Sequence, residues 1–372
     1  MGSTPAIYVG RPTPLVKVAM PPKEQLMPAL EEVLYGGMIG EGAHVYEFET
    51  RFAAHFGLSN TLAVSSGTAA LHLALVLAGA KAGTEVISTS MTAEPTNTTI
   101  LNCGATPVFA DVDPDTGNLS CEAVEASITS RTVAIIVVHY AGYPADLVAL
   151  RDIADRHGIE LIEDCAHALG ATHNGQPIGS FGDSALFSFQ AIKHMTTVDG
   201  GMLVVKDPAR VDTARRLRWF GLAKGVPRTE IDITTAGFKY NMNNVTAVIG
   251  KAQLDHIDPL IERHRDNARF FNQEIAGIKG LSAGRVLPGS DPSYWLYTLL
   301  CDDSADVEAR LADIGVMASK LHRPNHLHSV FRPFAGEMPG LDEFYRRLLH
   351  IPCGWWVNDD TRQAIVTALA KG

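Results

Sequence analysis

Several segments of this chain are apolar along their whole length instead of alternating, and that pattern restricts the folds open to it. AIIVVH (134–139) and the strand-like part of IELIED (159–164) have little of the polar alternation of a half-solvated strand. Both faces of such strands must be covered, as in largely parallel sheets flanked by helices. Strands are expected at Thr61–Val64, Glu85–Ser90, Thr106–Asp111, Val133–His139, Ile159–Glu163, Ala185–Phe189 and Met202–Val205. Turns or helices separate them, as in DLVALRDIADRHG, where Leu147, Leu150 and Ile153 recur at helical spacing. The expectation is an α/β fold: a large three-layer domain with a mostly parallel sheet.

In such sheets ligands gather at the carboxyl ends of the strands, and three motifs stand at those ends. The first is Ser65-Ser66-Gly67-Thr68, between a short strand and the helix AALHLALVLAGA. The free amides of a helix start suit a phosphate, although small residues also cap helices for purely structural reasons. The second is Glu163-Asp164-Cys165-Ala166-His167. An acid there can cap a following helix, bind a metal, or hold a proton on a heterocyclic nitrogen. The third is LFSFQAIKH, in which the strand-like run ends in Ser188 and Phe189 and Lys193 precedes Thr196, Thr197 and the turn Asp199-Gly200-Gly201. Most lysines are solvated surface charges, whereas one used for covalent chemistry needs a fixed place and an easily lost proton.

Composition narrows the class. With 46% hydrophobic and 19% charged residues the chain reads as a compact, enzyme-like protein, and a net charge of −10 argues against a nucleic-acid surface. The five cysteines, Cys103, Cys121, Cys165, Cys301 and Cys353, are scattered and never in C-x-x-C spacing. Neither a disulfide framework nor a metal site is expected, and a reducing cytoplasm fits. The opening residues MGSTPAIYVGRPTP lack an apolar leader, and no run reaches the roughly 18 apolar residues of a membrane span. After Ile257 the pattern changes, which places the large domain at residues 1–255 and a smaller α+β domain at 256–372.

Taken together, the motifs resemble the fold-type-I nucleotide-sugar aminotransferases of the DegT, DnrJ and StrS kind. The matching pieces are GGMIGEG with VYEFE, SSGTAALHLAL, GATPVFADVDPDTGNL, HYAGYPADL, IEDCAHALGA, GSFGDSALFSFQAIKHMTTVDGGMLVV, FKYNMNNVTAVIGKAQL and HIPC, spanning nearly the whole chain. The resemblance implies the aspartate aminotransferase fold and pyridoxal 5'-phosphate as cofactor. Lys193 would join it as a Schiff base, Asp164 would pair with the pyridine nitrogen, and His167 would lie one helical turn beyond, near the ring hydroxyl. Ser66, Gly67, Thr68 and Ser188 would hold the phosphate, with Asn241 reaching it from the partner subunit of a homodimer with shared sites.

The implied reaction moves an amino group from glutamate or glutamine to a keto-sugar, nucleotide-linked, in amino-sugar biosynthesis. A cyclitol or other keto substrate, or a cofactor-binding paralogue without turnover, are the alternatives. The lysine tells against the sugar dehydratases of this kind, which carry histidine at that place. Two departures stand out. Ala93 occupies the position where relatives commonly stack an aromatic on the cofactor, leaving Met91 or Glu94 to cover the ring, and Asp199 replaces a usual glutamate. His322-Arg323-Pro324 is expected to face substrate.

Overall fold

The computed structural model describes residues 12–371. Most of the opening segment read for a leader, residues 1–11, lies outside them. Helices α1 (Lys23–Tyr35) and α2 (Ala43–Phe56) flank the glycine-rich loop. Gly57, at φ 66°, ends α2 in the left-handed region that glycine enters without penalty.

Strands and helices then alternate: β1 (Thr61–Val64), α3 (Gly67–Leu77), β2 (Glu85–Thr89), α4 (Glu94–Asn102), β3 (Thr106–Ala110), α5 (Cys121–Ser127), β4 (Thr132–Val138), α6 (Leu147–His157) and β5 (Glu160–Asp164). The short strands β6 (Thr172–His173) and β7 (Gln176–Pro177) precede β8 (Ser184–Ser188), β9 (Gly201–Val205), α7 (Val211–Arg218) and α8 (Asn244–Leu254).

The main sheet has seven strands in the order β1-β9-β8-β5-β4-β2-β3. Its pairs are parallel from β3 through β8, and only β9 runs against its neighbours. The mostly parallel three-layer architecture expected from the apolar strands is therefore present. Alternate residues of each strand feed opposite cores. Ile135, Val137, Phe187 and Met202 pack with Phe48 and Phe52 of α2 on one face. Ile136, Val138, Leu186 and Leu203 pack with Leu71 and Leu75 of α3 on the other. Covering both faces removes water from the inner strands, while the edge strand β3 stays partly exposed at Thr106, and each fully buried Val, Leu or Ile side chain contributes about 1.5–3 kcal/mol.

Helix α9 (Ile257–Glu274) opens the C-terminal part, followed by β10 (Leu281–Ala283), β11 (Ser290–Asp291) and β12 (Tyr297–Cys301). Then come α10 (Ser304–Asp313), α11 (Pro339–Arg347), β13 (Leu348–Ile351) and α12 (Asp359–Leu369). Strands β10, β12 and β13 make an antiparallel sheet over a core that includes Phe271, Tyr297 and Phe344. Leu15 joins that core, and Thr13 bridges to Val316. Among the described residues no helix is long and apolar enough to cross a membrane.

Candidate active site

The carboxyl ends of β1, β5 and β8 meet on one rim of the sheet because these strands run the same way. Around them lies a cavity of about 420 Å³, lined by Ser66, Gly67, Thr68, Asp164, His167, Ser188 and Lys193. Seven of the eight residues expected to bind or work on the cofactor thus share one cavity. The eighth, Asn241, is buried beside the end of β1, bridges to Val64, and accepts a hydrogen bond from Lys239 Nζ at 2.6 Å. Within one chain it lies outside the cavity lining.

One end of the cavity is a cradle at the start of α3. Ser66 caps the helix by accepting from the Ala69 amide at 3.0 Å, and among the described residues the amides of Gly67 and Thr68 have no backbone partner at the positive end of the helix dipole. Two glycines let the strands close around this point. A Cβ on Gly67 would lie 2.8 Å from Ser188 Cβ, and one on Gly201 would lie 2.6 Å from the carbonyl carbon of Ser66. The cradle therefore brings two amides and the hydroxyls of Thr68 and Ser188 to one small volume, a donor set that fits a phosphate.

Asp164 is the last residue of β5, not the first beyond it, and is buried. No helix follows: Cys165 to His167 form a turn, with the Ala168 amide donating to Cys165 O at 3.0 Å. The expected helical turn between Asp164 and His167 is thus replaced by a tight bend, which brings His167 back over the cavity. Burial raises the Asp164 pKa, opposed by hydrogen bonds from the Ala166 amide at 3.2 Å and Thr96 Oγ1 at 3.0 Å and by the Lys193 charge. A carboxylate held in so dry a place suits a fixed cationic partner such as a protonated ring nitrogen.

The neighbouring Glu163 points to the opposite face. Its oxygens accept from the amides of Gly179, Phe181 and Gly182 at 2.9, 2.8 and 2.6 Å. Nε2 of His139 lies 3.4 Å from it, and His139 Nδ1 already accepts from the Ala145 amide at 3.1 Å. His139, Glu163 and Cys165 come close enough to resemble a metal cluster, yet these bonds show the histidine and glutamate occupied in bracing the strand end.

Burial, partly offset by Asp164, lowers the Lys193 pKa from 10.5 to about 8. Its Nζ lies 4.3 Å from the centroid of the Trp295 ring. The same ring stacks on His167 with centroids 4.0 Å apart. His167 is held neutral, its pKa pushed well below 6.5 by burial and then by Lys193, and its buried Nδ1 has no partner among the described residues.

Met91 is fully buried in the C-terminal core and does not line the cavity, so it cannot cover a ring there. Glu94 and His322 do line it beside Ala93. His322 arrives on a tight turn in which its amide donates to Lys320 O at 2.8 Å around Leu321, a non-glycine residue at φ 61°. That conformation is strained for leucine.

Two site residues escaped the sequence reading. Thr96, in the first turn of α4, lies 3.0 Å from the hydroxyl of Thr92, which precedes the helix, and donates to Asp164 at 3.0 Å; only the threonine-rich run Thr92–Thr99 hinted at it. Trp295 carried no signal, because its partners lie more than a hundred residues away.

The chain matches the DegT/DnrJ/EryC1/StrS aminotransferase family over residues 22–370. It is 37% identical to GDP-perosamine synthase of Vibrio cholerae over 272 residues, covering 73% of each chain. The crystal structure of the sugar aminotransferase CalS13 from Micromonospora echinospora superposes with a TM-score of 0.93 at 37% identity, over 96% of this chain and 99% of that one. The PLP form of Spr1654 from Streptococcus pneumoniae is similar at 26% identity and a TM-score of 0.87, over 95% and 97% of the two chains.

Proposed function

Because the chain belongs to the DegT/DnrJ/EryC1/StrS aminotransferase family, we propose that it transfers the amino group of glutamate or glutamine to a nucleotide-linked keto-sugar in amino-sugar biosynthesis. The observation that carries this is the convergence of Lys193, Asp164 and the α3 cradle on one cavity. Pyridoxal 5'-phosphate, when bound, would supply the electron sink and carry the amino group between the two substrates.

The chain's own residues do the rest. The amides of Gly67 and Thr68 with the hydroxyls of Thr68 and Ser188 bind the phosphate. Asp164, aligned by Thr96, keeps a proton on the ring nitrogen. His167, neutral and free at Nδ1, donates to or accepts from the ring hydroxyl. Lys193 Nζ would hold the cofactor covalently and would serve as the base and acid that moves the proton at the carbon losing or gaining the amino group. A pKa of about 8 leaves about a tenth of the amine free at pH 7, against roughly 0.03% at 10.5. The free thiols suit a reducing, cytoplasmic setting.

Purified protein given glutamate is expected to lose the visible absorbance of the lysine-bound cofactor. Adding a nucleotide-linked ketohexose should restore the band and yield an aminated sugar by mass spectrometry. No spectral change with glutamate, glutamine or other amino donors would favour a paralogue that binds the cofactor without turnover.

We place the complete site in a two-fold homodimer. Tyr35, Met38 and Ile39, on and after α1, expose 86, 69 and 53% of their surface, an apolar patch of the kind that marks an interface. Asn241, outside its own chain's cavity, would complete the partner's phosphate site, so that the same patch serves both subunits. Mixing Lys193→Ala with Asn241→Ala subunits, each nearly inactive alone, should recover activity up to roughly half a wild-type dimer's value per heterodimer. Heterodimers confirmed by tagged copurification but still inactive would place Asn241 elsewhere.

A further inference from the structure

Trp295 is 2% exposed and ties together the Lys193 and His167 segments, which lie far apart in the chain. Its indole N–H donates to Ile192 O at 2.8 Å, one residue before the lysine. Its ring face lies 4.3 Å from Lys193 Nζ, and the ring also stacks on His167 at 4.0 Å. The backbone around it is held hard. Tyr294 sits at φ 47° and the facing Ala141 at φ 54°, both unusual for residues other than glycine. The Ser293 and Leu296 amides donate to Gly142 O at 3.1 Å and Ala141 O at 3.3 Å. A Cβ on Gly142 would lie 2.7 Å from the Trp295 amide nitrogen and 2.9 Å from His167 O, so only glycine permits this approach. Two left-handed residues and an obligatory glycine converge on the placement of one indole, as strain does when a functional position demands it.

We propose that Trp295 is a positioning residue whose indole face is the resting place of the Lys193 amine whenever that amine is not bonded to the cofactor. This rests on the reading of Lys193 as the amine that forms the covalent link. An ammonium is attracted to the negative face of an indole and a neutral amine is not. The ring therefore opposes the loss of charge that burial drives, and it fixes the point from which the lysine moves its proton. His167, on the same ring, is held at a set distance from that amine.

The groups facing Lys193 are Asp164 at the end of β5, His167, His194, His322 from the C-terminal part, and Lys17 beside Ile192. Burial holds all three imidazoles neutral above pH 7, so an ionisation of this amine near pH 8 is its own.

The full chain, stripped of any bound carbonyl compound, is labelled with acetic anhydride across pH 6–10, and acetylation of each lysine is read by mass spectrometry. No cofactor or substrate enters, so a chain that fails to transaminate still answers. In Trp295→Leu the labelling midpoint of Lys193 should fall by about half to one pH unit, the size of a cation–π contact. Global replacement of tryptophan by a difluorotryptophan keeps shape and N–H while weakening the ring face. It should lower the midpoint in the same direction and covers the case in which the leucine variant fails to fold. Trp295→Phe, which keeps a face, should shift it by less than Trp295→Leu. A midpoint unchanged or raised in the leucine and the fluorinated proteins overturns the proposal and leaves Trp295 as packing alone.

Discussion

Lys193→Ala is expected to abolish amino transfer, by at least about 10³-fold, because one amine serves as both covalent attachment point and proton carrier. The variant should purify without the visible band of lysine-bound cofactor. It should still bind pyridoxamine 5'-phosphate, since the α3 cradle, Ser188 and Asp164 are untouched. Stability should hold or rise in the cofactor-free protein. The folded-state pKa lies below the ordinary lysine value, so the charged amine costs the fold stability at pH 7, and alanine removes that cost. Retention of both band and turnover in the variant would end the assignment.

Asp164→Asn should lower turnover by about 10² or more while leaving the fold intact, because asparagine keeps the shape and loses only the charge that faces the ring nitrogen. Stability and activity should move oppositely. The folded-state pKa of Asp164 is raised, chiefly by burial. Its ionisation therefore costs stability above the unfolded carboxyl pKa, and a neutral amide relieves that cost at neutral pH. Lys193 is coupled to the change. Asp164 raises the lysine pKa against desolvation, so its loss should move the Lys193 labelling midpoint below about 8. Near-normal turnover together with an unshifted midpoint would reduce Asp164 to a structural role.

Much of this could be read from the chain without coordinates, because it is encoded locally. Burial of a strand on both faces requires apolar residues at every position, so the sheet was legible in AIIVVH, and the strand ends lie within a residue of expectation. Once the strands pair in the order β1-β9-β8-β5, their shared direction carries Ser66, Asp164, Ser188 and Lys193 to one rim.

Non-local contacts decided the rest. Nothing in IEDCAH distinguishes a helical turn from the bend that returns His167 over the cavity, since the bend is enforced by packing against Trp295 and by the close approach at Gly142. Met91 is drawn into the C-terminal core by neighbours far along the chain, and His322 enters the cavity through a turn that leucine would not adopt unaided. The sequence by itself determined the sheet, its rim and the reactive groups on it, because period and residue type act over a few positions. Only the tertiary structure decided how dry those groups are and what each one touches. The lowered Lys193 pKa and the indole beneath its amine depend on segments about a hundred residues apart closing over the same few ångströms.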